Sequence, residues 1–420
     1  MSPAGHLSVG GCDLVELAAE FGTPLVIYDE GLLRANITAY RDAFAAEPGE
    51  TEVVYASKAY WGRALLRLIE AEGLSIDVAS GGELYVAVEA GFPPERIYMH
   101  GNNKDAGELT EMLDVGVGTV ILDSHEEIGL LSRLASERGM RQRVLVRVTP
   151  GVRGDTHEYI STGQVDSKFG FPLADGQAAT AIAAAREAPG LEFVGLHAHI
   201  GSQLLDLSRF ASAAAVMADL AAEVAGEDIA VMNMGGGLGI AYTREQTVPP
   251  IAEYAATIVG AVRREWERVG LPAPRVLVEP GRSIVGRAGL HLYTVGAVKR
   301  IPDVRTYVSV DGGMSDLLRP MLYGAEYEVI VANRAAENDG EEVRVVGKHC
   351  ESGDVLAASV KLPQPIAGDL LALPASGAYG ISMASNYNGQ LRPPVVFVDG
   401  GEARLVARRE HYSELVAREL

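Results

Sequence analysis

Cysteine is scarce in this chain, basic charge is outnumbered, and long apolar runs are missing. Only two cysteines, Cys12 and Cys350, occur in 420 residues. That argues against a disulfide framework and fits a reducing compartment. Lysine and arginine total 36 against 56 aspartates and glutamates, a formal net charge of −20. Nucleic acid and anionic membrane both call for a basic face, so neither is an expected partner, and the acidic balance reads as solubility. No apolar run reaches the length of a membrane span. Nor does the stretch from Met1 to His6 hold a basic region leading into an apolar core. No signal peptide is expected, and the location reads as cytoplasmic. A full dinucleotide fingerprint is missing too, because Gly235-Gly236-Gly237-Leu238-Gly239 lacks its spacing.

What is present is a rhythm. The hydrophobic content of 48% suffices for two domains with sizeable cores. Pro24–Tyr28 reads as a strand and Gly31–Ala45 as a helix. Strand-like runs then recur at Val53–Lys58, Ser75–Ala79, Ile97–His100, Thr119–Asp123, Val144–Thr149, Phe193–Ile200, Ile229–Met234 and Val276–Glu279. Stretches of helical period lie between most of them, among them Gly82–Ala90, Glu126–Arg138, Ser208–Ala225 and Ala252–Val269. Strand–helix units in this number over such a length predict a (β/α)8 barrel, preferred over an open doubly wound sheet. Beyond about Val285 the texture changes to short β-rich runs separated by turn residues, from Val295–Lys299 to Val395–Val398. That predicts a mainly antiparallel β-domain, with a helix only in the tail, His411–Glu419.

Barrel chemistry sits where the strands end. The first run ends on Lys58, where apolar walls could lower the amine's pKa and make it a nucleophile. The second run carries Asp77, the sixth His197 and His199, and the eighth Glu279. Glycine turns follow the last two strands, and Arg282 adds a planar cationic fork. Backbone N–H groups with no Cβ in the way can converge on an anion at such turns. A lysine, a phosphate seat and one carboxylate are what pyridoxal 5′-phosphate requires. No metal is expected. The β-rich region adds Arg319 and Tyr323, then His349-Cys350-Glu351-Ser352-Gly353-Asp354, then Gly377-Ala378-Tyr379-Gly380. The polar neighbours of Cys350 argue against burial in an apolar core.

In these motifs the chain resembles the diaminopimelate decarboxylases, of the fold-type III group of pyridoxal-phosphate enzymes that also includes alanine racemase and ornithine decarboxylase. The resemblance runs from Gly22-Thr23-Pro24-Leu25 to Ser385-Asn386-Tyr387-Asn388. Its most specific pieces are the lysine strand, His199-Ile200-Gly201-Ser202-Gln203, Glu279-Pro280-Gly281-Arg282, Cys350-Glu351-Ser352-Gly353-Asp354 and Gly377-Ala378-Tyr379-Gly380. It implies an alanine racemase-like fold: a cofactor-binding barrel over residues 27–287, and a β-sandwich-like domain over 1–26 and 288–420 that contributes to the active site.

The resemblance also implies roles. Lys58 would bind the cofactor covalently, Glu279 would pair with its ring nitrogen, and His199 would stack on its ring. Asp77 would belong to the same cofactor set. Ser202, Gly237, Gly281 and Arg282 would serve the phosphate. Arg282, Arg319 and Tyr323 would hold the carboxylate at the substrate's far end, and Glu351 the far ammonium. Cys350 would return the proton, and Tyr379 would touch both cofactor and substrate. The implied assembly is a head-to-tail homodimer in which Cys350 and Glu351 reach the partner's barrel. The implied reaction converts meso-2,6-diaminoheptanedioate to L-lysine and CO2, the last step of lysine biosynthesis. The alternatives are a decarboxylase of another basic amino acid or of carboxynorspermidine, and a non-catalytic pyridoxal-phosphate-binding protein. A racemase fits less well, because Glu279 favours carbanion character. The polar, glycine-bearing stretch from Val152 to Phe169 reads as a mobile cover.

Overall fold

The computed structural model describes residues 1–2, 4–151, 167–337 and 340–420. The chain forms two compact units. One comprises Ile37–Gly239 and Val248–Gly281; the other comprises Met1–Asn36, Ile240–Thr247 and Arg282–Leu420.

In the first unit, among the described residues, eight parallel strands close into a barrel: Thr51–Ala56, Ser75–Val78, Ile97–Met99, Thr119–Leu122, Gln142–Thr149, Leu191–Ala198, Val231–Asn233 and Arg275–Val278. The eighth pairs back onto the first, with Val276 opposite Thr51 and Val278 opposite Val53. Helices follow because the strand ends carry caps. Ser80 accepts from the Glu83 amide at 3.2 Å, Ser124 accepts from the Glu127 amide at 3.2 Å, and Asp105 forms a capping box with Glu108.

Side chains alternate across each strand, so residues two apart share a face. This stacks the barrel interior in layers. Val54, Tyr98, Ile121, Leu145, Val194, Val231 and Leu277 form one buried apolar cluster. Two residues before Val54, Glu52 accepts from Ser75 Oγ at 2.5 Å, Tyr98 Oη at 2.9 Å and Arg275 Nη2 at 2.5 Å. Two residues beyond the cluster, toward the carboxyl ends, come His100, Arg147, Asn233 and Glu279, all buried. The apolar layer therefore separates this half-buried polar plug from the chemical end.

The second unit is mainly antiparallel, as expected. Its spine is the strand Gly289–Ile301, antiparallel to Leu25–Asp29, Arg305–Val310 and Leu370–Leu373. Among the described residues two pairings are parallel: Arg305–Val310 with Glu341–Val346, and Leu25–Asp29 with Val395–Asp399. Among the described residues, two apolar clusters lie in this unit, one around Tyr293, Val308 and Leu373 and one around Leu17, Ile27 and Val396.

Some expectations need correction. The strand expected through Lys58 stops at Ala56, and Ser57–Ala59 is a short 3-10 turn. The strands Val355–Leu362 and Glu402–Ala407 lie outside the expected runs; the first buries only Leu356 and Leu362 and the second buries nothing, so neither carries the apolar alternation that marks a buried strand. The tail helix shrinks to Tyr412–Leu415, which buries no residue that could hold it longer. The proposed cover from Val152 to Phe169 falls mostly on residues 152–166, outside the described residues.

Candidate active site

The turn bearing Lys58 is pinned from several sides. The Ser57 amide donates to Asp77 Oδ1 at 3.2 Å, and Ser57 Oγ donates to Glu83 Oε2 at 3.1 Å. Glu83 also accepts from the Ala79 amide at 2.7 Å, while the Ala56 amide donates to Pro280 O at 3.1 Å. Lys58 itself is exposed, not enclosed by apolar walls as expected. Because its backbone is held and its amine reachable, the side chain can present a nucleophile at one place. Asp77 is buried beside it; burial, and then the charge of Glu279, push its carboxyl well above the usual range.

Glu279 is buried and accepts hydrogen bonds from three side chains. Its Oε1 accepts from Asn233 Nδ2 at 2.8 Å and from His100 Nε2 at 2.8 Å; its Oε2 accepts from His197 Nε2 at 3.3 Å. Burial alone would raise its pKa, yet the surrounding His100 and His197 hold it well below the carboxylate norm. Burial keeps both imidazoles neutral, His197 down to about 4. Neutral rings donating from Nε2 fit an ionised carboxylate. Ligand atoms of His100, His197 and Glu279 lie within 4.8 Å of one another, a spacing compatible with a metal. Each imidazole Nε2, however, already faces a carboxylate oxygen.

His199 follows its strand directly. The Gly236 amide donates to its Nδ1 at 3.2 Å, which leaves the proton on Nε2. Burial, then the charges of Lys58 and Arg147, hold its pKa well below the ordinary value, so the ring is neutral. The two glycine-bearing turns clip together: the Leu204 amide donates to Gly237 O at 2.9 Å, and the Gly239 amide to Leu204 O at 3.0 Å. A Cβ on Gly237 would lie 2.5 Å from Gly201 O at a φ of +124°, and one on Gly236 would lie 2.1 Å from Glu279 O. Ser202, Gly237 and His199 are thus brought together, and Gly281 lies directly between Pro280 and Arg282 in the chain.

The remaining expected residues belong to the second unit. Arg282 and Arg319 are both buried at 6% exposure. Arg319 opens the short helix that ends on Tyr323, so the two side chains share a face one turn apart. The Arg282 guanidinium lies 4.9 Å from the Tyr379 ring centre. Tyr379 itself holds a φ of +57°, a left-handed backbone that a bulky residue seldom takes outside a functional constraint. Cys350 is a free, exposed thiol beside the exposed Glu351. Their turn is fixed by Asp354, which accepts from the His349 amide at 3.0 Å, His349 Nδ1 at 2.6 Å and the Met314 amide at 2.7 Å.

Residues 31–286 match the family model described as "Pyridoxal-dependent decarboxylase, pyridoxal binding domain". The chain is 47% identical over 419 residues to the diaminopimelate decarboxylase of Bacillus subtilis, covering 99% of this chain and 95% of that one. The chain belongs to the diaminopimelate decarboxylase family. Solved relatives agree. The diaminopimelate decarboxylase of M. jannaschii, crystallised with L-lysine, superposes with a TM-score of 0.93 at 36% identity, covering 100% and 97% of the two chains. That of Helicobacter pylori, also complexed with L-lysine, gives a TM-score of 0.88 at 31% identity, covering 96% and 98%. Membership in the diaminopimelate decarboxylase family makes the chain a decarboxylase with pyridoxal phosphate as its cofactor.

The residues present fit that cofactor. An amine, a buried anionic carboxylate, a neutral imidazole and turns too tight for a Cβ are its chemical requirements. Sequence reasoning missed the partners of these groups. His100, Arg147 and Asn233 each stand two residues beyond an apolar barrel residue, Tyr98, Leu145 and Val231. That spacing was the available signal. Tyr242 and Tyr327, which receive hydrogen bonds from Arg319, gave none.

Proposed function

We infer that the chain decarboxylates meso-2,6-diaminoheptanedioate, releasing CO2 and L-lysine. The observation that supports this substrate most directly is Arg319. It is a buried guanidinium whose hydrogen-bond partners are the phenols of Tyr242 and Tyr327, and its Nε has no partner among the described residues. A buried cation with neutral partners is suited to a carboxylate supplied by the substrate.

The cofactor, when bound, supplies an electron-poor ring that takes up the electron pair left as CO2 departs. Lys58 would hold it covalently. Glu279 would keep a proton on the ring nitrogen, and its ionised state suits that task. His199 would lie against the ring, with Asp77 beside Lys58. Ser202, Gly237, Gly281 and Arg282 would hold the phosphate. Arg282, Arg319 and Tyr323 would fix the far carboxylate, Glu351 the far ammonium, and Tyr379 both ligands. The Cα–carboxylate bond breaks and CO2 leaves. Cys350 then delivers its thiol proton to Cα and regains one from solvent. Residues 27–287 are proposed as the cofactor-binding domain. The proposed assembly is a homodimer in which Cys350 and Glu351 serve the partner's barrel, and the proposed location is the cytoplasm.

The test is CO2 release from meso-diaminopimelate, L-lysine, L-ornithine and L-arginine. Only the first should turn over, since the others leave the fork without its carboxylate. Arg319→Ala should raise KM for diaminopimelate at least about a hundredfold, consistent with about 3–5 kcal/mol for a broken buried pair. Unchanged turnover of diaminopimelate in that variant would refute the assignment.

A further inference from the structure

We propose that Tyr242 is a specificity-determining residue, whose phenol oxygen holds the Arg282 and Arg319 guanidiniums as a pair for the substrate's far carboxylate. This rests on the reading of those arginines as the carboxylate fork. Arg319 Nη1 donates to Tyr242 Oη at 3.0 Å, and Arg282 Nη1 donates to the same oxygen. The Tyr242 ring lies 5.2 Å from the Arg319 guanidinium and 6.0 Å from that of Arg282. Tyr327 stands edge-on to it at 5.4 Å and accepts from Arg319 at 2.5 Å.

Two cations that share one neutral acceptor repel each other. Without that acceptor they have reason to separate toward water or other acceptors. A phenol oxygen has two lone pairs and one hydrogen. With both lone pairs taken by guanidinium N–H groups, the hydrogen can only be donated. Any further partner of Tyr242 must therefore be an acceptor, and a carboxylate is the acceptor that two arginines favour. The backbone supports the arrangement: the Tyr242 amide donates to Gln246 Oε1 at 2.8 Å, and residues 240–247 belong to the same compact unit as both arginines. Tyr242 acts through the arginines, so it is a positioning residue.

Tyr242→Phe keeps the ring and removes the oxygen. KM for meso-diaminopimelate should rise about tenfold with kcat within about twofold. The inhibition constant of L-lysine, which retains the far carboxylate, should rise in parallel. That of cadaverine, which has no carboxylate, should stay put. In an Arg319→Ala background the same change should add less than in the parent, because only one of the two cations that the oxygen pairs remains. An equal rise for cadaverine, no rise in KM, or full additivity with Arg319→Ala would each overturn the proposal. If Arg319→Ala alone leaves KM unchanged, the fork reading falls first and takes this inference with it.

Discussion

Glu279 shows how a single residue gets its properties from its neighbours. A carboxylate this buried would ordinarily take up a proton, and three donors prevent it. Removing one donor should return part of the burial penalty. His100→Phe is expected to raise the Glu279 pKa, because one donor fewer then opposes the effect of burial. A carboxylate that must be ionised to work loses activity at a higher pH when its pKa rises. The acid limb of the kcat profile should accordingly move upward in His100→Phe. A profile identical to that of the parent would show that His100 does not hold the charge on Glu279. His100→Gln, which can still donate, should restore the limb in part.

Among elements, the turn from Gly347 to Asp354 is the most informative. Its residues come from a local motif, yet its shape is set by one side chain: Asp354 accepts three hydrogen bonds, two from His349 and one from Met314. The turn in turn presents Cys350 and Glu351, and the Cys350 amide is held by Asn388 Oδ1 at 2.8 Å. Asp354→Ala leaves buried donors without a partner, at about 1–3 kcal/mol each. We expect a stability loss of about 3 kcal/mol by urea titration, with a fall in kcat/KM, since both presented residues shift. Full activity in a destabilised Asp354→Ala would separate the turn from the chemistry. The lysine turn follows the same logic, with Asp77, Glu83 and Pro280 fixing its backbone from other parts of the barrel.

At the scale of the whole molecule, the buried imidazoles set how stability varies with pH. His197 and His291 are each pushed down to about 4 by burial, and burial lowers His100 and His199 as well. The unfolded chain binds protons at these positions near the ordinary histidine pKa of about 6.5, while the folded chain does not. Stability therefore falls as pH drops through that value, by about 0.7 kcal/mol per histidine between about pH 7 and pH 6. Asp316, raised to about 6 by burial, and Asp77, raised well above the usual carboxylate range, act in the opposite sense, because the folded state holds protons that the unfolded state releases. The urea midpoint should thus begin to drop below about pH 7 and go on dropping toward about pH 5, because the folded His197 and His291 take up protons only near 4, and His291→Gln should reduce that drop. A midpoint constant from about pH 8 to pH 6 would contradict the neutral, buried state of these rings.

Much of this molecule was legible in its linear order. The barrel strands were placed within a few residues, because period-two burial and helical spacing are local signals that need no partner to be read. Lys58, His199 and Glu279 stood out because they sit at the ends of such strand-like runs, just beyond the strands themselves. What the linear order could not supply was company. Glu279 receives donors from Asn233 on the neighbouring seventh strand, His197 on the sixth and His100 just past the third, positions that only the folded barrel brings together. Tyr242 stands 40 residues from Arg282 and 77 from Arg319. No periodicity links residues that far apart, and whether an oxygen takes one proton, two guanidiniums or none is decided by what folding brings within hydrogen-bond reach.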